Sequence, residues 1–173
     1  MARRTHRSFV SYIDKSREYY AAQGYEHPYR WAVADQVAFT EPAMALDEAR
    51  VGVVTTSFFP RGDEPAGVEP VGAEPPYPVK VPYAAPIDTA SRATFNADLF
   101  WAKDETHTDD VNSYPPVDRL RDHLTEGRIG ALSPRFYGIP TEYSQRRTLE
   151  RDAPQVEQWL REDGVDLALL VGL

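Results

Sequence analysis

Two near-continuous apolar runs constrain this chain more than anything else in it: Val51-Gly52-Val53-Val54-Thr55-Thr56-Ser57, and Val165 through Val171 at the far end. Each is long enough for a strand and too short for a helix of ordinary length. Neither alternates between apolar and polar residues as a half-exposed strand does. The pattern predicts buried strands of a parallel sheet, covered on both faces. Between and before them lie segments of helical period. Ser8 caps a helix in which Phe9, Tyr12, Ile13 and Tyr20 share a face and which Gly24 ends. Thr40, Glu41 and Pro42 open a short helix to about Glu48. Val117, Leu120 and Leu124 mark a helix that starts near Pro116 and stops at Gly127, and Ile129 to Leu132 reads as a short strand. Thr141 to Arg151 is helical in composition. Asp152, with Pro154 in the first turn and Gln155 three residues on, reads as a fresh capped start for a helix whose face is Val156, Trp159 and Leu160 and which Gly164 ends. Strand and helix alternate, so the expected fold class is α/β, a mainly parallel sheet flanked by helices, in a single domain over residues 1–173.

From Pro60 to Pro86 the chain holds eight of its fifteen prolines with Gly62, Gly67 and Gly72. No regular element is predicted there, and disorder or a surface flap is favoured over an active-site lid. Gly62 and Gly67 have the spacing of a phosphate loop, but the Lys-Ser/Thr that would complete one is missing.

Composition narrows the chemistry. The formal charge is −8, which argues against nucleic acid as a partner because phosphate neutralisation needs a basic face. The basic start, Arg3, Arg4, His6 and Arg7, reads as a solvated tail. No membrane span and no signal-type apolar run are legible, so the expected location is the cytoplasm. Cysteine is absent from all 173 residues, so the chain carries no thiol of its own for redox work, nucleophilic attack or metal ligation. The densest polar cluster, Asp104, Glu105, His107, Asp109 and Asp110, contains potential metal ligands. Its spacing matches no metal motif, and a solvated acidic loop is the favoured reading over a metal site at His107, Asp109 and Asp110. Asp118 suits the first turn of its helix through the dipole, and Arg119 reads first as a surface ion pair. Signatures for serine hydrolases, zincins and dinucleotide folds are missing.

Several strings nevertheless occur in a recognisable order. They are Tyr12-Ile13-Asp14 with Arg17-Glu18-x-Tyr20, then Gly24-Tyr25 and Pro28-Tyr29-Arg30-Trp31, then the strand Ala49 to Thr56. The most specific is Asp110-x-Asn112-x-x-x-Pro116-x-Asp118-Arg119-Leu120, which continues through Glu126-Gly127-x-Ile129-Gly130 to Ser133-Pro134-Arg135-x-Tyr137. In these the chain resembles the selenoprotein B family, the substrate-reducing subunits of glycine, sarcosine, betaine and D-proline reductases and their bacterial relatives. Gly138-Ile139-Pro140 replaces a Ser-Phe-Met-like segment of those relatives. The resemblance implies thiol- or selenol-dependent reduction of a small amino-acid-like substrate. In the relatives a selenocysteine or cysteine follows the strand similar to Val165–Val171, with a second Cys after a short spacer. Such a group attacks the substrate and the second Cys resolves the intermediate. The resemblance places Leu173 just before that residue. The expectations are therefore a UGA codon read as stop, a partner subunit that completes the enzyme, or a shortened paralogue. Asn112, Asp118, Arg119 and Tyr137, the polar members of the shared string, are the substrate-binding candidates and are expected to gather at one end of the sheet. A binding or regulatory relative is the second reading, and a metal-dependent enzyme built on His107 the third.

Overall fold

This computed structural model describes residues 12–25, 27, 32, 40–59, 62–68, 81–93, 109–139 and 144–172. The chain divides into two compact units, residues 1–38 and 39–173. The first contains α1 (Tyr12–Ala22), which ends as expected where Gly24 takes a φ of 84°, a left-handed conformation that costs glycine nothing. The predicted cap Ser8 lies outside the described residues.

The second unit is built on β1 (Arg50–Thr55), whose residues 51–55 are all buried. The segment predicted as a helix from Thr40 to Glu48 instead forms bends and turns before it. Its apolar residues, Ala43 to Leu46, do not reach the core, and Leu46 is exposed. Next come β2 (Tyr83–Pro86), which the sequence reading missed inside the proline-rich stretch, and a 3-10 turn from Ile87 to Arg92. These are followed by α2 (Val117–Thr125), β3 (Ala131–Leu132) and β4 (Arg135–Gly138), the last also unforeseen. α3 (Gln145–Arg147) runs through a π-helical stretch, Thr148–Asp152, into α4 (Ala153–Glu162), and β5 (Leu167–Val171) completes the described elements. Asp152 does not open a fresh helix. Its backbone is helical and its side chain makes no cap bond, because the helix is already running when it arrives.

The sheet is mixed and mostly parallel. β5 pairs in parallel with β1 along its whole length, Val51 opposite Leu167 to Thr55 opposite Val171. The other edge of β1 is shared by β3, through Arg50–Ala131 and Val51–Leu132, and β4, through Val54–Tyr137 and Thr55–Gly138. Ser133-Pro134 separates these two, since proline has no N–H to continue the ladder. β2 adds outside β4 in the antiparallel sense, Tyr83 opposite Gly138 to Pro86 opposite Arg135, and its proline sits on a sheet edge where a missing donor is tolerated.

Alternation along β1 divides the core in two. Val51 and Val53 face a layer with Val117 and Leu120 of α2, Ile129, Phe59, Tyr83 and Phe136. Val54 faces Val156 of α4 and Tyr137, with Trp159 and Leu160 alongside. The helices around Leu120 and Trp159 thus cover opposite faces, the α/β arrangement that the two apolar runs demanded. Gly52 lets α4 close in: a Cβ there would stand 3.1 Å from Leu160 Cδ2 and from both Val165 methyls. At the amino ends Asp166 fixes the register. Its carboxylate accepts from the Arg50 amide at 2.8 Å, and its own amide donates to the Arg50 carbonyl at 3.0 Å.

One expectation needs correcting here. The strand at Val165–Val171 starts at Leu167 and is not buried. Leu169 is exposed and Leu170 is 75% exposed, because among the described residues β5 pairs with β1 alone and leaves its other edge open. Among the described residues no helix is long and apolar enough to cross a membrane.

Candidate functional site

The expected gathering of Asn112, Asp118, Arg119 and Tyr137 does not form. Asp110 accepts from the Asn112 amide at 2.9 Å, the Asn112 side-chain carbonyl accepts from the Asp118 amide at 3.0 Å, and the Asn112 amide group reaches Asp118 Oδ2 at 3.4 Å. The Asp-x-Asn…Asp string is therefore a local device. It satisfies the Asp118 amide, an otherwise orphaned donor at the start of α2, where Pro116 supplies no side-chain acceptor. Asp118 also pairs with Arg121 at 2.8 Å. Arg119 points to water and pairs with Asp122 at 2.9 Å. Tyr137 faces α4, on the opposite side of the sheet from α2, so strand alternation itself keeps it away from the other three. Of the metal candidates, His107 lies outside the described residues and Asp110 is engaged in capping. Among the described residues no group of three potential ligands gathers.

Tyr137 belongs to a different network, which joins β4 to the end of α4. Its hydroxyl, on a fully buried residue, donates to Asp163 Oδ2 at 2.5 Å and lies 2.9 Å from Ser133 Oγ, which is left as the donor of that pair. Arg135 grips the same carboxylate through Nε at 2.7 Å and its terminal nitrogen at 3.0 Å, and also reaches Glu162 at 3.3 Å. Three polar residues of the Ser133-Pro134-Arg135-x-Tyr137 string thus converge on one acid. Burial and then the bond to Asp163 push the Tyr137 phenol well above its ordinary value. Burial works to raise the Asp163 carboxyl as well, but the hydrogen bonds from Arg135 and Tyr137 and the Arg135 charge outweigh it and hold the acid below its usual range. The hydrogen bond to Asp163 in turn raises Arg135. A tyrosine so held keeps its proton, and the network is a latch rather than a source of base or nucleophile. Asp163 was not singled out in the sequence. The available signal was an acid directly before the helix-ending Gly164, within one helical end of an apolar face.

The carboxyl end of β1 offers a different kind of place. In open α/β sheets ligands bind beyond the carboxyl ends of the strands, where neighbouring strands send their connections to opposite faces. β1 and β4 are such neighbours: β1 leads to Phe59, the Ala90 turn and α2 on one face, and β4 leads to α4 on the other. At this point stands Thr55-Thr56-Ser57. The Ser57 amide donates to Thr55 Oγ1 at 3.1 Å, and Tyr83 Oη donates to the Ser57 carbonyl at 2.8 Å. On one side the Ile139 amide donates to the Thr55 carbonyl at 2.8 Å, and on the other the Thr56 amide reaches the Val171 carbonyl at 3.3 Å. The Tyr83 ring lies against the bare Cα of Gly138, where a Cβ would come within 1.9 Å of it. Burial pushes the Tyr83 phenol well above its ordinary value, against the opposing effect of its bond to Ser57. Ser57 is fully buried, and among the described residues its Oγ has no hydrogen-bond partner. These hydroxyls are uncharged and suit a small polar ligand better than a metal ion. The sequence signal was the change from valines to Thr-Thr-Ser at the end of the first apolar run; Tyr83, met across 26 residues of chain, had none. Comparison of the chain with family models, with curated proteins and with solved structures finds no match.

Proposed function

We propose that this chain is the scaffold and substrate-holding part of a selenoprotein B-like reductase, which reduces a small amino-acid-like or related substrate with a selenol or thiol from outside these 173 residues. The observation that supports it is the pairing of β1 with β5. In the relatives that the chain resembles, the redox residue follows the strand similar to β5. The carboxyl end of β5 lies directly beside Thr56, so a group following it would emerge at the carboxyl edge where α/β sheets place their ligands. When present, that group supplies a nucleophile ionised near neutral pH. The chain's own contribution is positional: β1 and β5 bring their carboxyl ends side by side, and Asp166 fixes β5 in register.

The test is a dithiol-dependent reduction assay with glycine, sarcosine, betaine and D-proline, applied to the 173-residue chain and to the product of its reading frame continued past codon 173 with selenocysteine insertion enabled. The expected result is no turnover by the first and turnover by the second, lost when the added selenocysteine or cysteine is replaced by serine. A downstream frame without such a residue, or a longer product without activity, overturns the reading and leaves a binding or regulatory protein, which the complete lack of cysteine favours as the second reading.

A further inference from the structure

We infer that the switch point between β1 and β4 binds the neutral carbonyl oxygen of a small ligand, and that the Ser57 hydroxyl donates the hydrogen bond that recognises it. Every other polar atom of Ser57 is engaged, its amide with Thr55 Oγ1 and its carbonyl with Tyr83 Oη. Among the described residues only the side-chain oxygen lacks a partner, in a residue with no exposed surface. A buried hydroxyl without a partner is a net cost to the fold, of roughly 1–3 kcal/mol in general, so its retention calls for an explanation.

The place is independently the carboxyl edge of the sheet, where the chain leaves β1 by way of Phe59 and β4 by way of Ile139 toward opposite faces, the edge at which α/β sheets bind their ligands. The ligand class follows from the surroundings. Thr55, Tyr83, Phe59 and Gly138 carry no charge, so a carboxylate or ammonium buried among them would lack a counter-ion and be strongly disfavoured. A carbonyl oxygen accepts one donor and brings no charge. This site needs no thiol, and it stands or falls separately from the reductase reading.

The test titrates the 173-residue chain and its Ser57→Ala variant with acetamide and, as a charged control of the same shape, with acetate. Amide resonances of Ser57 and Ile139 are followed by NMR, and melting temperatures are recorded without ligand. The expected outcome is a saturable shift with acetamide, absent with acetate, and weakened roughly tenfold or more in Ser57→Ala. The variant alone is expected to melt no lower than the parent, since it loses an unsatisfied group. No saturable acetamide shift, equal shifts in parent and variant, or an acetate response as strong as that of acetamide each overturn the inference. A fall in melting temperature on Ser57→Ala overturns it too, because the hydroxyl would then already have a partner in the free protein.

Discussion

Asp163 carries more of this structure than its position in an unremarkable Glu-Asp-Gly sequence suggests, since one side chain receives Tyr137, Arg135 and, through the tyrosine, Ser133. Tyr137→Phe removes a hydroxyl from a buried chain of hydrogen bonds and leaves Ser133 Oγ short of a partner. We expect a loss of about 1–2 kcal/mol in urea unfolding. The pH dependence has a definite sign. The Asp163 carboxyl is lowered in the folded protein, so its contribution is fully present above the unfolded value near ~4 and declines as pH falls through the folded value. The stability difference between the parent and Asp163→Asn should therefore shrink as unfolding is measured at successively lower pH below about 4. A difference that stays constant with pH would mean that the charge is not what Asp163 contributes. Gly138→Ala tests the contact with Tyr83. A methyl group cannot share space with the ring, and a penalty of about 1–3 kcal/mol is expected from the forced shift. Little of this was readable beforehand. The string Ser133-Pro134-Arg135-x-Tyr137 stood out as a unit, but the acid on which it converges lies 26 residues beyond the tyrosine, and only the packing of α4 on β4 brings them together.

Helices with a local signal were legible as elements, and those without one were not. α2 ends where Gly127 adopts a φ of 68° and α4 where Gly164 adopts 64°, both foreseen from glycine placed after an apolar period. The Asn112 and Asp118 pair was foreseen as polar and shared but not as a cap. Because its bonds span six residues or fewer, Asn112→Ala should act on α2 alone, with a cost of about 1 kcal/mol in thermal unfolding and no change in ligand binding at Ser57. β2 and β4 were missed because each is a four-residue strand, one bounded by prolines and the other following Pro134, and short strands carry too little pattern to register. β5 was found, but its burial was overestimated. The run Leu167–Val171 is apolar on both faces, yet among the described residues only β1 pairs with it. An open, uncharged edge of this kind is a known route to association. Leu170, 75% exposed, can take a charge at little cost to folding. Leu170→Lys should lower light scattering at high protein concentration while leaving the unfolding midpoint nearly unchanged; equal scattering would show that the edge is not what associates.

At the scale of the whole molecule, the sequence by itself determined the class of fold. Two apolar runs with no polar alternation had to be sheet strands, and the helices of 3.6-residue period between them had to pack on the sheet, so an α/β unit followed from chain-local periodicity and the hydrophobic effect, although only β1 is buried throughout residues 51–55. What only the tertiary structure decided is which polar groups meet. Strand order put β4 between β2 and β1 and sent β5 to the far edge. Alternation across the strands then placed Tyr137 with α4 and left Asn112, Asp118 and Arg119 on the side of α2. The same ordering set Ser57 at the switch point with Tyr83 bonded to its carbonyl and, among the described residues, no hydrogen-bond partner for its buried hydroxyl. Periodicity is a property of neighbours along the chain and can be read from it. A contact between a strand end and a residue tens of positions away depends on strand order and facing, which a one-residue shift in register would reverse.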